Sequence, residues 1–306
     1  IIGHTNNWTI ERAIADAGIV FNTLSLILYL MGLQRLGFDL EGDRIYELGV
    51  MLDRNYPRLI GVLQDPNYFV FYNTLFFSYF LCHSKPMKNK AGLLLCILTN
   101  LLTFSRGGLL VLLITLCLYI LKDKPLKKIK LLAGMVVFLS AAAYLVVFYM
   151  KLNLFSILGS RIEDLAKDGG SGRLELWGRA WEFFVSYKYI GIGAYNFPEY
   201  NSFRYGDSLQ VHNTFLEILS ESGLIGISCF CVFILTVFMQ LIQSKLYRNK
   251  PYLLLTFVGI ILQMGFLSII INDMFFLYLA ILSTYMHHER NKSQMKQRDP
   301  GFYSLP

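Results

Sequence analysis

Apolar runs of roughly 20 residues recur along most of this 306-residue chain. They fall at about 13–33, 67–82, 91–105, 107–121, 131–150, 223–242, 252–271 and 273–287. A run of that length matches the ~30 Å hydrocarbon core of a bilayer. Inside lipid every backbone polar group must be satisfied within the segment, which favours helices. The expected fold class is therefore all-α, a polytopic integral membrane protein with about eight spans in this chain. Composition agrees. Only 16% of residues are charged and 55% are hydrophobic, against roughly 25% charged in soluble domains. The pair 91–105 and 107–121 is read as two spans. One helix over 91–121 would rise about 46 Å and bury Arg106 near mid-membrane, and a break at Ser105-Arg106-Gly107-Gly108 removes both problems.

Charge sets the orientation. The short segments 83–90, 122–130, 243–250 and 287–298 carry 15 of the 28 Lys and Arg residues. The much longer segment 151–211 carries seven. The positive-inside rule makes the short basic segments cytoplasmic, and Arg106 and the 34–66 and 151–211 loops exterior. That rule also accounts for the net charge of +7 without nucleic acid as a partner. The expected organisation is a transmembrane part over 1–150 with the exterior 34–66 loop, then a large exterior loop over 151–211. A re-entrant or amphipathic helix and the last spans follow over 212–288, and a disordered cytoplasmic tail over 289–306. The chain starts with Ile1 and has no cleavable-signal pattern, so it is expected to lie inside a longer parent with further spans upstream. All five cysteines fall in apolar runs, and no disulfide or metal site is expected from them.

The exterior regions hold nine arginines, namely Arg35, Arg44, Arg54, Arg58, Arg106, Arg161, Arg173, Arg179 and Arg204, and only three lysines. Topology disfavours positive charge there, and a bidentate site for phosphate would explain it. Pairing with carboxylates such as Glu163, Asp164 or Glu175 is the competing explanation, expected for about half of them.

Four exterior clusters could carry chemistry. Arg58 to Asn67 precedes a span, and Asp65-Pro66-Asn67 also reads as a plain helix start. Ser105-Arg106-Gly107-Gly108 sits at a helix break, where Ser105 could cap the next helix and its N-terminus would favour an anion. Gly170-Ser171-Gly172-Arg173 leads into Glu175, Trp177 and Trp181. Leu174, Trp177 and Trp181 share one helical face, which suits a helix lying on the membrane. His212-Asn213 precedes Gly223-Leu224-Ile225-Gly226 by nine residues. Its imidazole would lie at a membrane–water boundary, as a functional group or as a helix cap. The turn Gly191 to Phe197 would form a tight loop over the site. Glu217 and Glu221 are alternative bases, expected on a solvated helix face.

In their order along residues 58–245, these clusters resemble the O-antigen ligase and polysaccharide polymerase superfamily of bacterial membrane glycosyltransferases. The carriers are Arg58 through Asn67, Thr103 to Gly108, Ser171-Gly172-Arg173 with Trp177, Gly191-Ile192-Gly193, and the His212-Asn213 pattern with its spaced glycines. The resemblance implies a helical, GT-C-like fold in the bacterial inner (cytoplasmic) membrane. It implies a glycan donor on undecaprenyl pyrophosphate, a glycan or lipid acceptor, and no cofactor or metal. It maps the catalytic roles onto His212, Arg173 and Arg106. Arg58, Asn67, Ser105, Arg204, Asn213 and Trp177 are the expected substrate-binding residues. Elementary chemistry is consistent with this. A leaving pyrophosphate needs cations rather than a proton, and two guanidinium groups supply them. An acceptor hydroxyl needs a base, and a neutral His can serve. Direct attack would invert the anomeric centre. Ligase, repeat-unit polymerase and protein O-oligosaccharyltransferase differ only in the acceptor. A transporter or flippase is the non-enzyme alternative, and would call for mid-span charges and an inverted repeat that are not apparent.

Overall fold

The computed structural model describes residues 7–40, 42–122, 133, 134, 137 and 172–298. Most of the expected span at 131–150, the loop residues 151–171 with Arg161 and Ser171, and the end of the tail lie outside the described residues. Ten helices are described: α1 (Asn7–Arg35), α2 (Pro66–Cys82), α3 (Met87–Leu102), α4 (Arg106–Lys122), α5 (Arg173–Ser186), α6 (Phe197–Tyr205), α7 (Thr214–Gln243), α8 (Leu246–Asn249), α9 (Pro251–Met264) and α10 (Asp273–Arg298).

The phenylalanine-rich α2 forms the centre, with α1, α3, α4 and α9 packed around it. Its start is fixed locally. Asp65 is the N-cap and accepts from the Asn67 and Tyr68 amides at 2.7 and 3.0 Å, and Pro66 sits at the first helical position, where its missing N–H costs nothing. Polar side chains stitch these helices inside the apolar core. Asn22 of α1 and Asn73 of α2 exchange amide hydrogen bonds at 2.9 and 3.0 Å, and Thr99 of α3 joins them at 2.5 Å. Such bonds hold helices together where apolar contact gains little against lipid.

Among the described residues, two helices are long and apolar enough to cross a bilayer, α1 over Thr9–Arg35 and α7 over Thr214–Gln243. The apolar parts of α4 and α9 are shorter. The sharpest departure is at the expected 252–271 span. Its helix stops at Met264, and residues 265–272 form a corner before α10. The corner is fixed by Thr214, whose hydroxyl donates to the Leu267 carbonyl at 2.6 Å and accepts from the Ile269 amide at 3.0 Å.

The all-α expectation also needs an amendment. The 34–66 region contains a three-stranded antiparallel sheet, β1 (Ile45–Glu47), β2 (Val50–Asp53) and β3 (Tyr56–Leu59), in that order. Val50 pairs with Leu59 and Asp53 with Tyr56. Arg54 and Asn55 make the connecting two-residue turn with φ of 55° and 64°, the double left-handed geometry that matches strand twist. Val50 and Leu52 point inward onto Tyr29 and Leu33 of α1, and Phe69 of α2 completes this small core.

Candidate active site

Three of the four clusters converge. The break between α3 and α4 falls at Thr103–Ser105, as expected from the sequence. Ser105 caps α4, its hydroxyl oxygen accepting from the Gly108 amide at 3.3 Å. The same hydroxyl donates to Asn67 Oδ1 at 2.7 Å, so the start of α2 is joined to the start of α4. Arg58 reaches this junction from β3. It donates to the Thr103 carbonyl at 3.0 Å, to Asp53 Oδ2 at 2.8 Å and to Asn67 Oδ1 at 3.5 Å. The Asn67 carbonyl oxygen is thus taken, which leaves its amide as a donor.

A small cleft opens over this junction. Asn67, Ser105, Gly107, Gly108 and Arg173 line it, with Gln263, Phe266 and Leu267 as the facing wall. Arg173 opens α5, and Arg106 opens α4. Burial pushes the Arg173 guanidinium below its ordinary pKa; Asp65 opposes that shift, and the nearby positive charges of Arg58 and Arg106 add to it. Three guanidinium groups and two carboxylates, Asp65 and the Asp53 paired with Arg58, therefore share one field of net positive charge at the start of two helices. That is an environment for an anion with more than one charge.

His212 stands at the edge of the same field. Burial pushes its pKa below the usual 6.5, and the positive charge of Arg173 acts in the same direction while Asp65 opposes it. The neutral ring is favoured, in the expected direction, with burial rather than a helix terminus as the main cause. The helix-cap explanation of His212 is overturned. The N-cap of α7 is Asn213, whose Oδ1 accepts from the Phe215 and Leu216 amides at 3.1 Å each. His212 adopts φ 53°, and its amide donates to Ser268 Oγ at 3.0 Å. The carbonyl of Ser268 accepts from the Tyr68 hydroxyl at 2.7 Å. The 265–272 corner therefore ties His212 to α2. Sequence reasoning missed this segment, because Gly265-Phe266-Leu267-Ser268 continues an apolar run and only Gln263 and Ser268 mark it.

Other expected binding residues have different uses. Asn213 spends its side-chain oxygen on the cap. Trp177 donates from Nε1 to the Val211 carbonyl at 3.1 Å, which fixes the residue before His212. Arg204 is half-exposed on α6, paired with Glu182 at 2.6 Å, and does not line the cleft. Arg58, Arg179, Arg35 and Arg54 also pair with carboxylates. With Arg204 that makes at least five of the eight exterior arginines among the described residues. Arg179 bridges Glu175 and Asp207 at 2.6 Å each, and the pairing holds the Asp207 carboxyl below its usual range.

The turn Gly191–Phe197 does not lie over the cleft. It interlocks with a kink in α7 at Gly223 (φ 62°, ψ −160°). The Leu224 and Ile225 amides donate to the Lys188 and Tyr189 carbonyls at 2.8 and 3.2 Å, and the Ile192 and Gly193 amides donate to Ser220 and Glu221 at 3.0 and 2.8 Å. A Cβ on Gly191 would lie 2.3 Å from the Glu221 carbonyl carbon, and one on Gly223 would lie 2.3 Å from that of Tyr189. Both positions have left-handed φ, so both demand glycine on two grounds. Glu217 and Glu221 are also corrected. They are 7% and 2% exposed rather than solvated, because this first leg of α7 packs against α5 and the turn. The Glu221 carboxylate accepts from the Tyr195 and Phe197 amides at 2.8 and 3.0 Å.

The helical framework thus carries a cationic cleft with a neighbouring imidazole. Residues 91–231 match the family model described as O-Antigen ligase. Over that stretch, which is less than half of the chain, the sequence is similar to O-antigen ligases. No curated protein matches the chain.

Proposed function

We propose that the cleft holds the pyrophosphate of a lipid-linked glycan and that the protein transfers the glycan to an acceptor hydroxyl. The observation that carries this reading is the joint field of Arg58, Arg106 and Arg173 over a cleft lined by the capped start of α4. Arg106 and Arg173 act as the clamp on the leaving pyrophosphate, with the α4 amides and the Asn67 amide as further donors. His212, kept neutral by burial and Arg173, takes the proton as the acceptor oxygen attacks the anomeric carbon. The C–O bond to phosphate breaks as the new glycosidic bond forms, and the centre inverts. The leaving group departs as an anion, so no divalent metal is required. The donor is undecaprenyl pyrophosphate-linked, and the reaction runs on the exterior face of the bacterial inner membrane. The acceptor is a lipid-borne core glycan in the ligase reading, and the next repeat unit in the polymerase reading.

The test is donor transfer by the purified full chain, with Arg106→Lys and Arg173→Lys alongside. Lysine keeps the charge and loses the planar fork. Both variants should fold, bind donor weakly and turn over poorly, with or without chelator. Wild-type donor affinity in Arg173→Lys would remove the clamp. Abolition by chelator with rescue by magnesium would replace it with metal chemistry.

A further inference from the structure

The helix α5 is apolar on two sides. At about 100° per residue, Leu176, Ala180 and Phe183 form one stripe, which is buried under α6 and the turn. Glu175, Arg179 and Glu182 form a second stripe that carries the helix's ion pairs. Leu174, Trp181 and Val185 form a third on the side away from the buried stripe. It is exposed throughout, with Trp181 at 54%. The chain then turns through Tyr189 and Ile190, which are 70% and 72% exposed. The backbone bonds from Leu224 and Ile225 to Lys188 and Tyr189 set this pair directly beside the start of the second leg of α7. Leu224, Ile225, Val232, Leu235 and Met239 along that leg are themselves exposed apolar residues of a helix long and apolar enough to cross a membrane.

A water-soluble surface would not keep this band. The exposed stripe of α5 holds no charged residue, and it runs on through Tyr189–Ile190 into a bilayer-crossing helix. Lys188 alone interrupts it, and its flexible stem can carry the ammonium outward to lipid phosphates. We infer that the Leu174–Trp181–Val185 stripe and Tyr189–Ile190 are seated in the lipid at the headgroup–acyl boundary, on the leaflet that the cleft faces. The partner is a lipid surface. The seating fixes α5 parallel to the membrane, and Arg173, its first residue, is thereby held at headgroup depth. There a lipid-linked anion presents its phosphates. The inference rests on the membrane character of the chain and is independent of transferase activity.

The experiment uses the full chain in nanodiscs, with and without lipid brominated near the carboxyl end of the acyl chain. Trp181 is isolated as the difference between wild type and Trp181→Phe, with Ile190→Trp as a second reporter should the first variant not fold. Both tryptophans should be quenched several-fold more strongly by brominated lipid than by aqueous iodide. Stronger quenching by iodide would place the stripe in water and overturn the inference. Protection from both quenchers would mean that a second copy or another protein covers it, and would overturn it equally. Neither readout needs catalysis, so failure of the transferase reading leaves the result interpretable.

Discussion

Replacing His212 by asparagine separates chemistry from architecture, because the structure makes the architectural cost small. His212 contributes its main-chain amide to Ser268, and that bond survives any side chain except proline. Its φ of 53° lies in the left-handed region, which asparagine tolerates better than most residues. The helix that follows is capped by Asn213, so α7 keeps its start. The expected loss of stability is about 1 kcal/mol or less, typical of a single substitution without cavity or strain. Removal of a general base costs roughly 100- to 10,000-fold in turnover, about 2.7–5.4 kcal/mol of barrier. Turnover and donor affinity would be measured on purified His212→Asn with a lipid-linked donor, alongside its thermal transition. Turnover should collapse while donor affinity and the transition hold. In the wild type, the acid limb of the kcat profile should lie below pH 6.5. Burial and Arg173 depress the ring's pKa, so the neutral, active form persists to lower pH and is lost only as pH falls through that depressed value. Near-normal turnover in His212→Asn would remove His212 from the mechanism and direct attention to Glu217, the buried carboxyl on the next turn.

Gly223→Ala should destabilise the protein by more than the roughly 1–3 kcal/mol of its glycine-only backbone conformation alone, because its Cβ would meet the Tyr189 main chain at 2.3 Å; a thermal transition unchanged from wild type would refute the interlock. Arg58→Gln should lower the thermal transition more than it weakens donor binding, since it strips partners from Asp53 and Thr103; intact stability with lost affinity would return Arg58 to the substrate. For topology, cysteine at Phe203, 94% exposed, should react with an impermeant thiol reagent in intact cells in a cysteine-free background, whereas cysteine at Asn249 should not. The reverse pattern would put the cleft on the wrong side for an exterior donor. Asn201 would be a poor reporter, because it is buried and bonded to Arg179 and Asp207.

The helices of this chain were legible where apolar length and a punctuating polar residue coincided. Asp65-Pro66 announced α2, and Ser105-Arg106-Gly107-Gly108 announced the break before α4. The corner at 265–272 was not legible, because a break inside an uninterrupted apolar run leaves composition unchanged. The sheet at 45–59 was missed for another reason. Its strands are three or four residues long, and the Arg54–Asn55 turn lacks the glycine that usually marks such a hairpin. At the site, the chemistry-bearing residue types were visible, but their division of labour was not. Trp177, Asn213 and Arg204 resemble binding residues in isolation, and only the folded chain shows that the first two bond main-chain groups around His212 and the third a surface carboxylate.

The corner at 265–272 bears on where a working unit of this chain begins and ends. The segment matched by the family model, 91–231, contributes Ser105, Gly107, Gly108, Arg173 and His212, but Asn67 lies before it and Gln263, Phe266 and Leu267 lie after it. A fragment trimmed to the matched borders would carry the full set of proposed catalytic residues and still be an open half-shell. It would lack the floor that Asn67 forms with Ser105 and the opposite face against which a ligand is enclosed. Transplanting the segment between such proteins would likewise have to carry the hairpin of α9 and α10 with it, since Ser268 sets the backbone of the proposed base.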